Sequence, residues 1–286
     1  MSMKNPTISE GADPVNEKKI TFDIQKISFS LMKKIALPLL VLVVFLGGWE
    51  LFTIVSGIAH YILPAPTDIY EATVNNFENL MNAVYTTITS ALMGFVMSVV
   101  LGISGAILLS SSKIVERAFY PYVVLLQTIP IIAVAPIIVI WFGAGTNAIV
   151  IIAFLIGFFP MLSNTLVGLN STDSNLRDLF SLYNASKFQT MWRLRLPAAL
   201  PYIVAGLKIS CTLATIGVIA GEYIAGIGGG AGGLGYAITV ASSNIQTAYL
   251  FACGLAASVL GIGFFLIINF ISKLLLSSWH ESEMQD

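Results

Sequence analysis

The feature that most constrains this chain is its series of apolar stretches, at residues 35–58, 83–109, 118–141, 146–169, 203–225 and 248–272. Each is long enough to cross a hydrocarbon core of roughly 30 Å, which takes about 20 helical residues. The second, third and fourth contain no Asp, Glu, Lys or Arg. Only 10% of the chain is charged and 56% is hydrophobic, whereas soluble domains carry about 25% charged residues. A soluble fold of this size lacks the polar groups to coat so much apolar side chain, so lipid must solvate it. The expected fold class is an all-α integral membrane protein with six transmembrane helices.

The basic residues orient those spans. Lys4, Lys18, Lys19, Lys26, Lys33 and Lys34 precede the first, and Lys113 and Arg117 separate the second from the third. Arg177, Lys187, Arg193, Arg195 and Lys208 lie between or just inside the fourth and fifth, and Lys273 ends the sixth. With six spans all 14 fall on one side, and the opposite loops, 59–82, 142–145 and 226–247, hold none. Positive charge marks the cytoplasmic side, so both termini are expected there. The organisation is a cytoplasmic leader (1–34), a six-span domain (35–276) and a cytoplasmic tail (277–286). In the leader, Ile20, Ile24, Ile27 and Leu31 share a helical face suited to the membrane surface, although Ile20, Phe22 and Ile24 also alternate as a strand does. The first apolar run is too long for a signal peptide and reads as a retained span.

The connection at 170–200 carries the densest local signals. Asp173 is a helix N-cap and Ser174–Tyr183 a short helix, ended by Asn184, which tolerates left-handed backbone. Ser186 and Gln189 form a capping box for a second helix, which Leu196-Pro197 is expected to close. Leu179, Phe180, Leu182, Tyr183, Phe188, Met191 and Trp192 crowd this loop. So much apolar surface needs cover: either the ends of the protein's own helices, or a groove on a soluble partner that receives a helix.

The run DLFSLYNASKFQTMWRLRLPAALPYIVAGLKIS resembles the loop shared by permease subunits of ATP-binding-cassette importers, with the pattern E-A-A-x3-G-x9-I-x-L-P. Asp178, Leu179 and Phe180 fall on the E-A-A positions, Asn184 on the Gly, Leu194 on the Ile, and Leu196-Pro197 match outright. Asp for Glu, two larger residues for the alanines and Asn for Gly are departures. The strings LPAPTDIY, LLQTIPIIAVAPIIVIWFGAG, FFPMLSNTLVGL and IAGEYI…GGLGYAI are similar, in order and spacing, to the nitrate, sulfonate and taurine branch, which includes permeases for thiamine precursors and riboflavin.

That resemblance implies the type I permease fold, a bacterial inner-membrane location, and a paired permease working with two ATPase subunits and a solute-binding protein. It implies that Asp178, Leu179, Phe180, Tyr183, Asn184, Ala185, Ser186, Phe188, Gln189, Leu196 and Pro197 couple ATP hydrolysis to transport. The chain has no G-x-x-x-x-G-K-[ST] loop, so ATP is expected on the partner. No catalytic residue, cofactor, metal site or nucleic-acid partner is expected. The G-x-G-x-x-G match at 228–233 follows a span rather than a strand and reads as an outer loop.

Candidate path or gate residues are Gln127, Thr128, Pro130, Asn164, Thr215 and Glu222. Polar groups inside spans either line a path or bond neighbouring helices, at about 0.6 kcal/mol each. Prolines 121, 130 and 136 are expected to bend the third span. Glu222, near the outer end of the fifth, reads as a gate or as packing against the glycine-rich loop; Glu50 reads as reaching interfacial water. The competing class is an ion-gradient-driven secondary transporter, which would show inverted repeats and midplane carboxylates. A membrane enzyme would need paired carboxylates or a nucleophile beside a base, and neither is present.

Overall fold

The computed structural model describes residues 36–226 and 232–283, with side chains to residue 276. The leader, most of the 228–233 run and the side chains of the tail lie outside the described residues. The chain divides into two units, residues 1–58 and 59–286. In the first, α1 (Ala36–Ser56) has 21 residues, roughly 32 Å at 1.5 Å each. Two of its hydroxyls bond carbonyls of their own helix. Thr53 Oγ1 donates to Glu50 O and Ser56 Oγ to Phe52 O.

The second unit is built from α2 (Pro66–Asn75), α3 (Phe77–Ser110), α4 (Lys113–Thr128), α5 (Ile131–Phe142), α6 (Thr146–Asn170), α7 (Ser174–Leu182), α8 (Lys187–Thr190), α9 (Leu196–Gly226), α10 (Leu234–Ser243) and α11 (Thr247–Glu283). Among the described residues every element is helical. Among the described residues, and counting α1, five helices are long and apolar enough to span, or six if the bent pair α4–α5 counts as one. α3 begins six residues before the expected start at 83. Glu78, Asn79 and Asn82 lower the local hydropathy there without breaking a helix. α2 and α10 are short helices inside connections that hydropathy leaves as loops.

The third span departs furthest from expectation. It is two helices meeting at 94°, not one bent helix. Ile129 takes extended backbone, φ −70° and ψ 123°, and Pro130 is the N-cap of α5, since a residue before proline is pushed out of the α region. Pro121 and Pro136 remain inside α4 and α5.

The core is α3, α6 and α9. Water-driven collapse does not hold helices together in lipid, so close packing and hydrogen bonds must. Ser98 Oγ of α3 lies 2.8 Å from Phe154 O of α6, and Ser210 Oγ of α9 donates to Gly157 O at 2.7 Å. A Cβ on Gly157 would stand 2.7 Å from Ser98 Oγ, and one on Gly168 2.7 Å from Tyr202 Cβ. These glycines set the helix spacing. Around them Ala106, Met161, Leu166, Leu169, Ala199 and Ile203 form one buried cluster.

Candidate functional site

The segment between α6 and α9 is a braced elbow. Asp173 caps α7, its carboxylate accepting the Asn175 N–H at 2.7 Å. The helix ends in a Schellman turn. Asn184 sits at φ 51°, its N–H donates to Ser181 O, and Ala185 N–H donates to Phe180 O, each at 3.0 Å. Those bonds satisfy carbonyls that a helix end otherwise leaves open. Two residues on, Gln189 N–H donates to Ser186 Oγ at 3.2 Å and Ser186 N–H to Gln189 Oε1 at 2.8 Å, the reciprocal capping box that starts α8.

Leu196-Pro197 does not close the second helix, contrary to expectation. Residues Met191–Arg195 form a π-helical turn that runs directly into α9, with Leu196 N–H bonded to Met191 O. The wider turn shifts the bonding register, so Pro197 enters the first turn of α9, where a missing N–H costs little.

Arg195 is the bracing residue that sequence reasoning passed over. Its Nε donates to Leu169 O, one terminal nitrogen to Ser110 O and the other to Asn170 Oδ1, each at 3.0 Å. One guanidinium thus grips the C-terminal ends of α3 and α6, where carbonyls lack partners and the helix dipole favours a cation. Asn170 Nδ2 extends the network to Glu116 Oε1 at 2.7 Å. The available signal was an arginine flanked by apolar residues next to a proline, in a loop between spans.

The apolar side chains of the elbow divide. Met191 is buried in the core cluster and Phe180 is half-buried. Leu182 is 80% exposed, Tyr183 81% and Phe188 71%, with Phe188 and Trp192 in ring contact at 5.8 Å. Asp178, Leu179, Asn184, Ser186 and Gln189 are exposed as well, whereas Ala185, Leu196 and Pro197 are half-buried.

At the other end of α9, Glu222 is 1% exposed. Gly235 N–H donates to its Oε2 at 2.9 Å, and Thr87 Oγ1 lies 2.9 Å from both carboxyl oxygens while accepting the Leu234 N–H. Leu234 and Gly235 open α10, so Glu222 and Thr87 satisfy a helix N-terminus from two other helices. The glycines after the span have a structural reason. A Cβ on Gly235 would stand 2.8 Å from Glu222 Cβ, and one on Gly233 would collide with the carboxyl group.

The six path candidates are dispersed. Gln127 lines a cavity of about 470 Å³ with Phe159, Pro160 and Leu213, and Pro130 lies between two further lining residues, Ile129 and Ile131. Thr128 Oγ1 donates to Leu125 O, Asn164 Nδ2 to Pro160 O and Thr215 Oγ1 to Cys211 O. These three satisfy their own helices. Glu222 belongs to the α10 cap.

Residues 94–279 match the family described as binding-protein-dependent transport system inner membrane component. Among curated relatives, the formylaminopyrimidine transport permease protein ThiX of Halalkalibacterium halodurans is 35% identical over 86% of this chain and 96% of its own. The riboflavin transport system permease protein RibX of Chloroflexus aurantiacus is 29% identical over 85% and 89%. A chain of the MetNI methionine ABC transporter, solved in inward-facing conformations, aligns with a TM-score of 0.55 at 20% identity. The alignment covers 70% of this chain and 95% of that one, and it shows the shared fold.

Proposed function

The chain belongs to the family of binding-protein-dependent transport system inner membrane components, a multi-pass permease, and from that premise we propose how it works. Two copies form the path for a small solute that a solute-binding protein delivers. Separate ATPase subunits dock on the α7–α8 elbow from the cytoplasm, where both termini also lie. ATP binds and is hydrolysed on those subunits, and their motion enters the permease through the elbow. Family membership displaces the ion-gradient alternative.

One observation carries the coupling role: Leu182, Tyr183 and Phe188 stand exposed on a turn that both caps and Arg195 hold rigid. A flexible loop would absorb a push, whereas a capped, braced turn transmits it. Exposed apolar groups on such a turn fit a groove. The test is a Ser186→Cys variant in inverted and right-side-out vesicles. Crosslinking from position 186 to a nucleotide-binding subunit, with labelling only from the cytoplasmic face, is expected. Labelling from outside, or no crosslink to such a subunit, refutes the reading.

A further inference from the structure

Beside the elbow, a cleft of about 410 Å³ opens between α3, α4, α6 and α7. Lys113, Arg117, Arg177 and Arg195 line it against a single carboxylate, Glu116. Their roles differ. Arg195 is committed to Leu169 O, Ser110 O and Asn170 Oδ1, and Glu116 accepts from Asn170 Nδ2. Lys113, Arg117 and Arg177 make no ion pair within 4.0 Å among the described residues. Three cations without such a partner, converging on one concave space that holds a single carboxylate, repel each other unless an anion joins them.

The backbone adds donors. The N-cap of α4, Ser112, makes no side-chain cap bond, so the first-turn N–H groups beside Lys113 are open to an acceptor, and a helix N-terminus favours an anion. Guanidinium forks match the oxygen geometry of phosphate. The cleft lies where α3 and α6 end, and the ends of spanning helices meet a bilayer's headgroup region. On its flank, α4 buries no residue and exposes Ile114 and Phe119, an apolar edge along which an acyl chain can lie.

We propose that this cleft between the start of α4 and α7 binds the phosphate of an anionic phospholipid. The proposal rests on the orientation above, which puts this end at the cytoplasmic leaflet. Because Arg177 belongs to α7 while Lys113 and Arg117 belong to α4, a bound headgroup ties the elbow to the membrane-spanning part. Anionic lipid then stiffens the element that receives the ATPase. Basic pockets at cytoplasmic helix ends take such headgroups.

The test uses the full chain purified from membranes and reconstituted in nanodiscs, with phosphatidylglycerol titrated into phosphatidylcholine. Lipid retained after re-extraction is counted by mass spectrometry. The wild type is expected to retain phosphatidylglycerol preferentially. Each neutralised cation should weaken retention roughly fivefold, so Arg177→Gln shows about that loss and Lys113→Gln/Arg117→Gln/Arg177→Gln a loss on the order of a hundredfold. The exposed Arg177→Gln variant guards against misfolding of the triple variant, and elution volume and thermal unfolding of both check it. Equal retention of the two lipids, or full retention by the variants, overturns the proposal. Inorganic phosphate that displaces the lipid at low millimolar concentration assigns the cleft to a free anion and overturns it too. So does loss of a co-purifying ATPase subunit in variants whose lipid retention is unchanged, which assigns the cleft to protein contact. Labelling of a Ser111→Cys variant from outside the cell overturns the orientation instead, whatever the lipid count.

Discussion

Replacing Arg195 with Lys keeps the charge and discards the fork, which isolates the brace from simple electrostatics. The guanidinium makes three bonds of 3.0 Å to groups on two different helices, Ser110 on α3 and Leu169 and Asn170 on α6. An ammonium on a flexible stem reaches one of these ends but does not span both. A hydrogen bond involving a charged group contributes about 1.5–3 kcal/mol. The site is half-buried and opens on a cleft, so water replaces part of the loss and the lower figure applies. Two bonds lost then cost roughly 3 kcal/mol, less about 0.5 kcal/mol for the retained charge near the helix ends. A net loss near 2.5 kcal/mol changes the ratio of docked to released elbow by about 70-fold. Hydrogen exchange reads this directly, because amides of α8 and the π turn exchange through release. Their rates should rise by roughly that factor in Arg195→Lys, and solute uptake per ATP should fall in proteoliposomes carrying the full transporter. Exchange rates within twofold of wild type, with undiminished uptake per ATP, would refute the brace.

Three further outcomes follow from local geometry. Asn184→Val forces a β-branched residue to φ 51° and should destabilise the elbow by about 1–2 kcal/mol, while Asn184→Gly should leave it intact; comparing exchange rates at Ala185 separates the two. Thr87→Val removes the donor to Glu222 and the acceptor for Leu234 N–H. It should cost about 2 kcal/mol, read as faster exchange at Leu234 with α7 unaffected. Asp68 caps α2. Its carboxyl is held below the ordinary aspartate value chiefly by accepting the Ala65 N–H at 2.9 Å, and further by His60 at 2.7 Å. With the folded value lowered, that stabilisation is complete above the ordinary range near 4 and is lost only as pH falls through the lowered value. Protection of the first turn of α2 should therefore fail in acid, and Asp68→Ala should remove that acid step and cost about 1 kcal/mol.

The elbow was legible because its signals are short-range. Asp173 capping α7, Asn184 in the left-handed region and the Ser186–Gln189 box each depend on residues within three or four positions. Arg195 was not, because two of its three acceptors are main-chain carbonyls 26 and 85 residues away, and a carbonyl leaves no mark on a sequence. Glu222 was half legible. A carboxylate near a span end calls for a partner, but that the partners are Thr87 and the start of α10 depends on the packing of three helices. The polar residues of the spans stayed ambiguous for a related reason. Thr128, Asn164 and Thr215 turn back onto carbonyls three or four residues earlier, which satisfies them in lipid without a neighbour and leaves no signature distinguishing them from path-lining groups.

The broken third span shows where hydropathy loses information and packing supplies it. A window of about 20 residues averages apolar character and carries none on direction, so α4 and α5 read as one helix. Three prolines fall in that stretch, yet the chain breaks at one. Pro121 and Pro136 sit inside continuous helices, and the turn falls at Pro130. The difference lies in what each side of Pro130 is attached to. On one side, Ala135 and Ile138 of α5 are buried with Ala148 and Ile152 of α6. On the other, α4 has no buried residue at all. A proline in a helix interior deletes one hydrogen bond; whether the chain kinks or breaks depends on whether the two halves have different surfaces to follow. Pro130 is the position at which the free half ends and the docked half begins, and it lies beside the Gln127 cavity.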